Sequence, residues 1–521
     1  AISPDLSTRD SSRIVSSGGI VADNLGQFYG EVVFAIAPSE IRKGLIWAGT
    51  NDGKLWYTRN GGTTWTDVTR NMTGLPAWGT IRKIEPSHFD PATAYVAIDF
   101  HMMDNRKPYI YKTTDYGRSW SNITGDLPAG GPLDYVMAVT ENPNKRGMLF
   151  AGTGHGFFYS HDDGTHWTRF STGLPAVPVT WIVVPKLWHD VVISTYGRGI
   201  YILKDIAPLE QNAGSTAAKT VTLYRPHPGY REARSGNADI TFSTLAKTAR
   251  PVTLEILDST GTTIRTMRVA TRAGYNRVSW NLRYDAPERV DLRTTPAANP
   301  HIWEEPRFKG KKVRPITHWG IQGPETAGPI ATPGHYSVRL VSDGTPPQVQ
   351  PLTILRNADI SSSDADLAAS TRMQIRIRND MDSAVSMINS IEKMRLQVDD
   401  QRRSAASDAD ALLALNALDN KMLAVELQLL SRSDLNSDDK YYVEQYRVYL
   451  NLIWLSGEVG SGAGDVAGGA DFRPTDTSHE VLAGIERQLS AAHADFNTLV
   501  QRDVPAFNKS AGGRLRAIAI E

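Results

Sequence analysis

Three acidic residues, Glu31, Asp99 and Asp134, are the chain's candidates for catalytic chemistry. Glycoside hydrolysis needs two carboxylates across a cleft, one as acid and one as base or nucleophile. All three fall in predicted strands or the loops joining them, with His101 and Tyr135 close by in sequence. The plainer reading of such acids is that they are solvated loop groups or turn formers. Tyr196 and Arg198 make a second polar pair, whose plainer role is to lock the last of a run of strands. Trp47, Trp56, Trp78 and Trp181 could line a sugar- or peptide-binding surface, although core packing is the commoner use of Trp. Of these, Trp181 joins His101 and Tyr135 as a binding candidate. His101, His155, His161 and His166 show no paired spacing on one helix, so no zinc site is expected, nor any other cofactor. Gly460-x-Gly462 does not follow a strand, which removes the dinucleotide reading, and neither G-x-S-x-G nor H-E-x-x-H occurs.

The elements that must position these residues are written three times. Residues 58–65 read TRNGGTTW, 113–120 read TTDYGRSW and 160–167 read SHDDGTHW. The fixed positions are Asn60, Gly62 and Trp65; Asp115, Gly117 and Trp120; and Asp162, Gly164 and Trp167. An Asp or Asn side chain can accept from backbone N–H groups further along and hold a tight turn. Glycine permits a positive φ there, and the Trp ring then buries beside the following strand. Short apolar runs flank each copy: VVFAIAP and GLIWAGTNDGKLWYT, TAYVAIDF and KPYIYKT, and MLFAGTGHGFFYS. A degenerate fourth unit, VVISTYGRGIYILKDIAPL at 191–209, lacks the octapeptide. A repeat of several short strands at this period is the signature of a propeller.

The octapeptide resembles the Asp box of sialidase-like propellers, of bacterial neuraminidase repeats and of the sortilin-like sheet. In those proteins the box is structural and sits on the blade rim, away from the ligand. The resemblance therefore assigns the nine fixed residues to the scaffold and leaves Glu31, Asp99 and Asp134 to face a central channel. Sialidases also carry an arginine triad, a Tyr–Glu pair and an acidic Asp, and no such set is found here. Three complete blades and a partial one, over 31–210, leave two open edges, and unpaired edges template association. The four units could close as a small propeller. The better reading is half of a larger ring, completed by an N-terminal half or another subunit.

After a polar lead-in at 1–30, the chain is expected to be mainly β and multidomain. Residues 218–356 alternate in short strands with Gly turns, as a β-sandwich does. Leu254-Glu255-Ile256 before Asp258 and Gly261, with Val278-Ser279-Trp280-Asn281, resembles the immunoglobulin-like domain of the flagellar hook-capping protein. An insertion at 285–327, with His301, Trp303 and His318, is too polar for a core and is expected at the surface against a neighbour. From 362 to 510 the pattern turns helical. Ile377, Met381, Ala384, Ile388, Ile391, Met394 and Val398 form a seam, and further helices are expected at 407–431, 437–456 and from Thr477 or Ser478. Short connections make this an antiparallel four-helix bundle.

This order of parts, with Thr195-Tyr196-Gly197-Arg198-Gly199-Ile200-Tyr201 as the most specific stretch, resembles the C-terminal half of a family of exported bacterial Asp-box proteins. That family is loosely labelled glycosyl hydrolase. The resemblance implies a periplasmic, cell-surface or secreted bacterial protein. Lys plus Arg and Asp plus Glu both number 56, so no net field recruits nucleic acid. No apolar run reaches 18 residues, so no membrane span is expected, and there is no cysteine for disulfides or thiolate ligands. Two functions fit: a binding or assembly module that presents its propeller face to a protein or glycan, or a sialidase-like or glucanase-like glycoside hydrolase.

Overall fold

The computed structural model describes residues 2–8, 32–211, 220–232, 236–317, 325–438, 443–461, 472–510 and 514–520. Glu31, His318, most of the 1–30 lead-in and the Gly-rich stretch after residue 461 lie outside them. The protein is mainly β, with several small antiparallel sheets and a C-terminal helical region. Its contacts fall into two units, 1–218 and 219–521.

The first unit is four small sheets in succession. The first holds β1 (Val33–Pro38), β2 (Ile46–Thr50), β3 (Leu55–Thr58) and β4 (Thr66–Asp67). The second holds β5 (Thr80–Pro86), β6 (Ala94–Asp99), β7 (Ile110–Thr113) and β8 (Ser121–Asn122). The third holds β9 (Val136–Glu141), β10 (Leu149–Thr153), β11 (Gly156–Ser160) and β12 (Thr168–Phe170). The fourth has β13 (Val179–Val183), β14 (Val191–Thr195) and β15 (Ile200–Leu203), followed by the short helix α1 (Ala207–Gln211). Each sheet is a meander, so its strands pair in chain order. The leading strands pack in sequence, β1 on β5, β5 on β9 and β9 on β13.

The octapeptides close the turns between the third and fourth strands. In each, the first hydroxyl accepts from the Gly N–H, at 3.0 Å for Thr58 and Gly62, 2.8 Å for Thr113 and Gly117, and 3.0 Å for Ser160 and Gly164. The Asn60, Asp115 and Asp162 side chains accept from the backbone N–H four residues on, each at 2.9 Å. Gly62, Gly117 and Gly164 all have positive φ. Burial of the Trp is graded: Trp167 is buried, Trp65 and Trp120 half-buried.

The turn glycines also seat each sheet on what precedes it. A Cβ on Gly117 would meet the side chain of Val68, and one on Gly164 the carbonyl of Ile123. In the first sheet this place is taken by residues 2–8. A Cβ on Gly62 would meet Ile2, and Trp65 Nε1 donates to the Ile2 carbonyl at 2.8 Å, as Trp167 Nε1 does to Ile123 at 3.2 Å. Leu6, Met72 and Leu127, each four residues past Ile2, Val68 and Ile123, are all buried.

The second unit begins with β16 (Val221–Leu223), β17 (Gly229–Arg231), β18 (Gly236–Thr244), β19 (Val252–Leu257), β20 (Thr263–Val269), β21 (Gly274–Trp280), β22 (Gly334–Ser342) and β23 (Thr345–Arg356). Here β16, β18, β17, β23, β22, β19 and β20 follow one another in one eight-stranded sheet, β21 also pairs with β18, and side chains from both ends of that order meet in one core. The helices are α2 (Asp364–Ser404), α3 (Ala409–Leu429), α4 (Arg432–Leu435), α5 (Val448–Ser456), α6 (Asp476–Thr498) and α7 (Val504–Ser510). Ser363 and Asp366 cap α2 reciprocally, and every residue of its seam, Ile377 to Val398, is buried.

Two expectations need correction. The helix expected over 437–456 does not begin there: a capping box of Ser431 and Asp434 starts α4 instead, Ser437 adopts a positive φ, and α5 starts only at Val448. The insertion at 285–327 is not a surface element throughout. Val290, Leu292 and Ile316 enter the helical core, and the Asp291 N–H donates to Asn389 of α2 at 2.7 Å.

Candidate functional site

Antiparallel strands put successive turns at opposite ends of a sheet, so the octapeptide turns lie at one end and the second-to-third-strand turns at the other. The candidates gather at this second end. Asp99 closes β6, and His101 opens a single 3-10 turn, His101–Met103, capped by Asp104 at a left-handed φ. His101 Nδ1 lies 2.7 Å from both Asp99 oxygens, and the His101 N–H donates to Asp99 Oδ1 at 2.9 Å. Its ring stacks on Tyr135 with centroids 4.4 Å apart. Burial raises the Tyr135 hydroxyl pKa, Asp99 adds to this, and Arg106 and Arg82 oppose it.

Asp134, next to Tyr135, is buried and accepts from the Gly131 N–H at 2.5 Å. Its Oδ1 lies 3.6 Å from His155 Nδ1, which in turn sits 2.9 Å from the Leu133 carbonyl. Thus Asp99, His101, Asp134 and Tyr135 come together, with Arg82, Arg106 and His155 added by the fold. Both carboxylates are already engaged by a neighbouring imidazole and a backbone N–H. That arrangement orders loops and stiffens an aromatic surface.

Tyr196 and Arg198 are not part of this cluster's bonding. They stand on the turn between β14 and β15, Tyr196 at 79% exposure, and neither side chain has a hydrogen-bond partner among the described residues. The expectation that they lock the last unit is therefore not met. Gly197 and Gly199, both at positive φ, and the Thr195 hydroxyl donating to the Gly199 carbonyl hold that turn instead.

Trp181 borders a groove of about 610 Å³ lined by all four leading strands, including Phe34 and Ile36 of β1, Lys83 and Glu85 of β5 and Thr140 of β9. The Lys83 ammonium lies 4.0 Å from the Trp181 ring centroid and 3.4 Å from Glu85, and Arg82 stacks on Phe34. At the groove's end His88 lies 3.3 Å from Glu85 and 3.2 Å from Glu40; the hydrogen bond to Glu85 raises its pKa despite burial. Sequence reasoning missed Lys83, Glu85 and His88. The recurring proline at the end of the leading strand, in AIAP, IEP and VVP, was the signal that aligns them.

The fourth sheet carries a second feature. Trp181 pairs with Ser194 and Ser194 with Ile200; Val183 pairs with Val192 and Val192 with Ile202. These six residues share one face of the sheet. Trp181 is 45% exposed, Ile200 70% and Ile202 56%, whereas Ile182 and Ile193 on the other face are buried against the third sheet's Phe150 and Phe157.

No family model matches the chain. An oligoxyloglucan-reducing end-specific xyloglucanase of Emericella nidulans is 28% identical over 126 residues, which are 23% of this chain and 14% of the enzyme. The chain thus spans about a seventh of that relative's length. Among solved structures, YCF48 bound to D1 peptide is 17% identical with a TM-score of 0.26, covering 40% of this chain and 64% of that one. The GH74 xyloglucanase from Xanthomonas campestris is 15% identical with a TM-score of 0.28, covering 66% and 47%. These two superpose too loosely to say more about this chain.

Proposed function

We propose that the protein is an exported binding and assembly module, its four sheets being consecutive blades of an Asp-box β-propeller that further blades complete. The observation that carries this is the exposed apolar face of the fourth sheet, where Val183, Val192, Ile200 and Ile202 lie in register beside Trp181, whose ring Lys83 partly covers. Between the other sheets such faces are buried, and a contiguous exposed patch of this kind marks an interaction site. Residues 2–8 support the reading, because they occupy the place of a preceding blade's tail. On this view the Asp99–His101–Tyr135 surface holds a protein or glycan partner. Residues 218–356 would be an immunoglobulin-like sandwich and 362–510 a helical bundle that follow it.

The test is native beside denaturing mass on protein from its source, repeated with Ile200→Lys and Ile202→Lys together. Assembly with a polypeptide carrying more octapeptides, lost in the double variant, is the expected result. A lone 57.3 kDa species in both cases would overturn the proposal. The xyloglucanase match favours a second reading, glycoside hydrolysis by Asp99 and Asp134. It predicts turnover of xyloglucan oligosaccharides that Asp99→Asn and Asp134→Asn each abolish.

A further inference from the structure

The octapeptides place one side chain at the same point of each sheet. Their fourth residues, Gly61, Tyr116 and Asp163, hold left-handed φ values of 67°, 57° and 61°. In each, the N–H donates to a carbonyl in the loop between the first two strands of the same sheet: Gly61 to Gly44 at 2.9 Å, Tyr116 to Ala92 at 3.0 Å and Asp163 to Gly147 at 2.9 Å. The backbone is therefore equivalent at the three positions, and only the side chains differ.

At the joint between the second and third sheets this side chain is an acid. Asp163 reaches back to the second sheet, where the Lys112 ammonium bonds it and the Tyr95 hydroxyl donates to it at 3.0 Å. The cation at that joint is thus neutralised from within the chain. At the joint between the first and second sheets the position belongs to Tyr116, which carries no charge. Arg42 Nη1 donates to the Tyr116 hydroxyl at 2.8 Å, and the guanidinium carbons of Arg42 and Arg59 lie 5.7 and 5.0 Å from its ring centroid. Both are within cation–π range. Tyr57 stacks on the same ring, with centroids 6.2 Å apart. Two guanidiniums are so gathered around one aromatic ring. Arg42 and Arg59 are both exposed, and neither pairs with a carboxylate among the described residues.

We propose that Arg42 and Arg59 bind a phosphate dianion, free or as a monoester, which supplies the negative charge that Asp163 supplies at the next joint. Guanidinium stays charged at every physiological pH and its planar fork of donors matches phosphate oxygens. A phosphate monoester carries about −1.5 to −2 charge at pH 7, enough for two guanidiniums, whereas a single carboxylate would neutralise only one. Tyr116 is a positioning residue, since its hydroxyl and ring hold the two arginines. Every group involved belongs to the first two sheets, so the site stands whether or not further blades complete the ring.

The test is phosphorus NMR of inorganic phosphate and of methyl phosphate with the full chain at fixed ionic strength, with acetate as competitor. Three variants are compared: Arg42→Gln, Arg59→Gln and Tyr116→Asp. The last keeps both arginines and installs the acid that the third octapeptide carries at the same backbone conformation. The parent should bind phosphate, each variant should weaken it tenfold or more, and acetate at equal concentration should leave it bound. Methyl phosphate binding as tightly as the inorganic ion identifies a monoester ligand, and binding of the inorganic ion alone identifies free phosphate; either supports the proposal. Should Tyr116→Asp fail to fold, the two arginine variants decide. No binding of either phosphate, displacement by acetate, or binding that survives a folded Tyr116→Asp overturns it.

Discussion

Glu141 is the residue on which the joint between the second and third sheets should depend most. It ends β9, is fully buried, and accepts from four donors on two sheets. Ser87 Oγ lies at 2.6 Å, the His88 N–H at 3.1 Å, the Tyr95 hydroxyl at 3.2 Å and the Gly147 N–H at 3.3 Å. Glu141→Leu keeps the bulk and removes every acceptor. The Tyr95 hydroxyl has a second acceptor in Asp163 at 3.0 Å, and the Ser87 hydroxyl can rotate. The His88 and Gly147 amides cannot, and each orphaned donor costs about 1–3 kcal/mol. The expected loss is therefore about 3 kcal/mol. Glu141→Gln, which keeps one acceptor oxygen and turns the other into a donor facing donors, should lose about 2 kcal/mol. Urea unfolding followed by Trp fluorescence gives the stability of the Trp-rich first unit. Amide exchange on peptides covering residues 85–95 and 141–149 reports the joint directly. A Leu variant within about 0.5 kcal/mol of the parent, with unchanged exchange at His88 and Gly147, would falsify the claim that this carboxylate binds the two sheets.

Gly164→Ala should cost about 3 kcal/mol, because φ is +87° and the new Cβ would lie 2.7 Å from the Ile123 carbonyl; Gly199→Ala, at φ +77° in open space, should cost about 1 kcal/mol, and thermal melts of the pair would show whether inter-sheet contact makes the difference. In the helical region Glu426 is wholly buried and held well above the usual carboxylate range, first by burial and then by the neighbouring Glu392, so its contribution is fully present below the unfolded pKa and is lost as pH rises through the folded one; stability measured against pH should fall less steeply for Glu426→Gln than for the parent above about pH 5.

What the sequence made legible was local. Each octapeptide's bonds close within five residues, from Ser160 to Gly164 and from Asp162 to the His166 N–H, so type and spacing alone define the turn. The α2 seam was readable for the same reason, since a period of three and four residues is a property of one helix. Long-range partnerships were not. Asp99 and Tyr135 stack through His101 only because two loops from neighbouring sheets converge, and nothing in either loop names the other. Residues 2–6, Ile-Ser-Pro-Asp-Leu, parallel 123–127, Ile-Thr-Gly-Asp-Leu, in only three identities, too few to stand out before Gly62 and Gly164 showed that both fill the same space.

The repeated inter-sheet contact bears on why the binding and assembly reading is preferred. Three sheets receive a predecessor through the octapeptide: a glycine with no room for a side chain opposite Ile2, Val68 or Ile123, and an apolar residue four positions later buried beside it. The fourth sheet has no octapeptide and, among the described residues, no fourth strand, so β15 ends it there as an edge. Ile200 and Ile202 lie on that edge with their side chains in solvent. An exposed apolar edge strand is a template for pairing, and natural sheets blunt such edges with charge, proline or a cover. Within β15 itself, Ile-Tyr-Ile-Leu, there is neither charge nor proline. A cover is the remaining device: a strand added at β15 would restore the four-stranded pattern of the other three sheets, and a further sheet packed on this one would bury the face that Trp181 and Val183 share with Ile200 and Ile202.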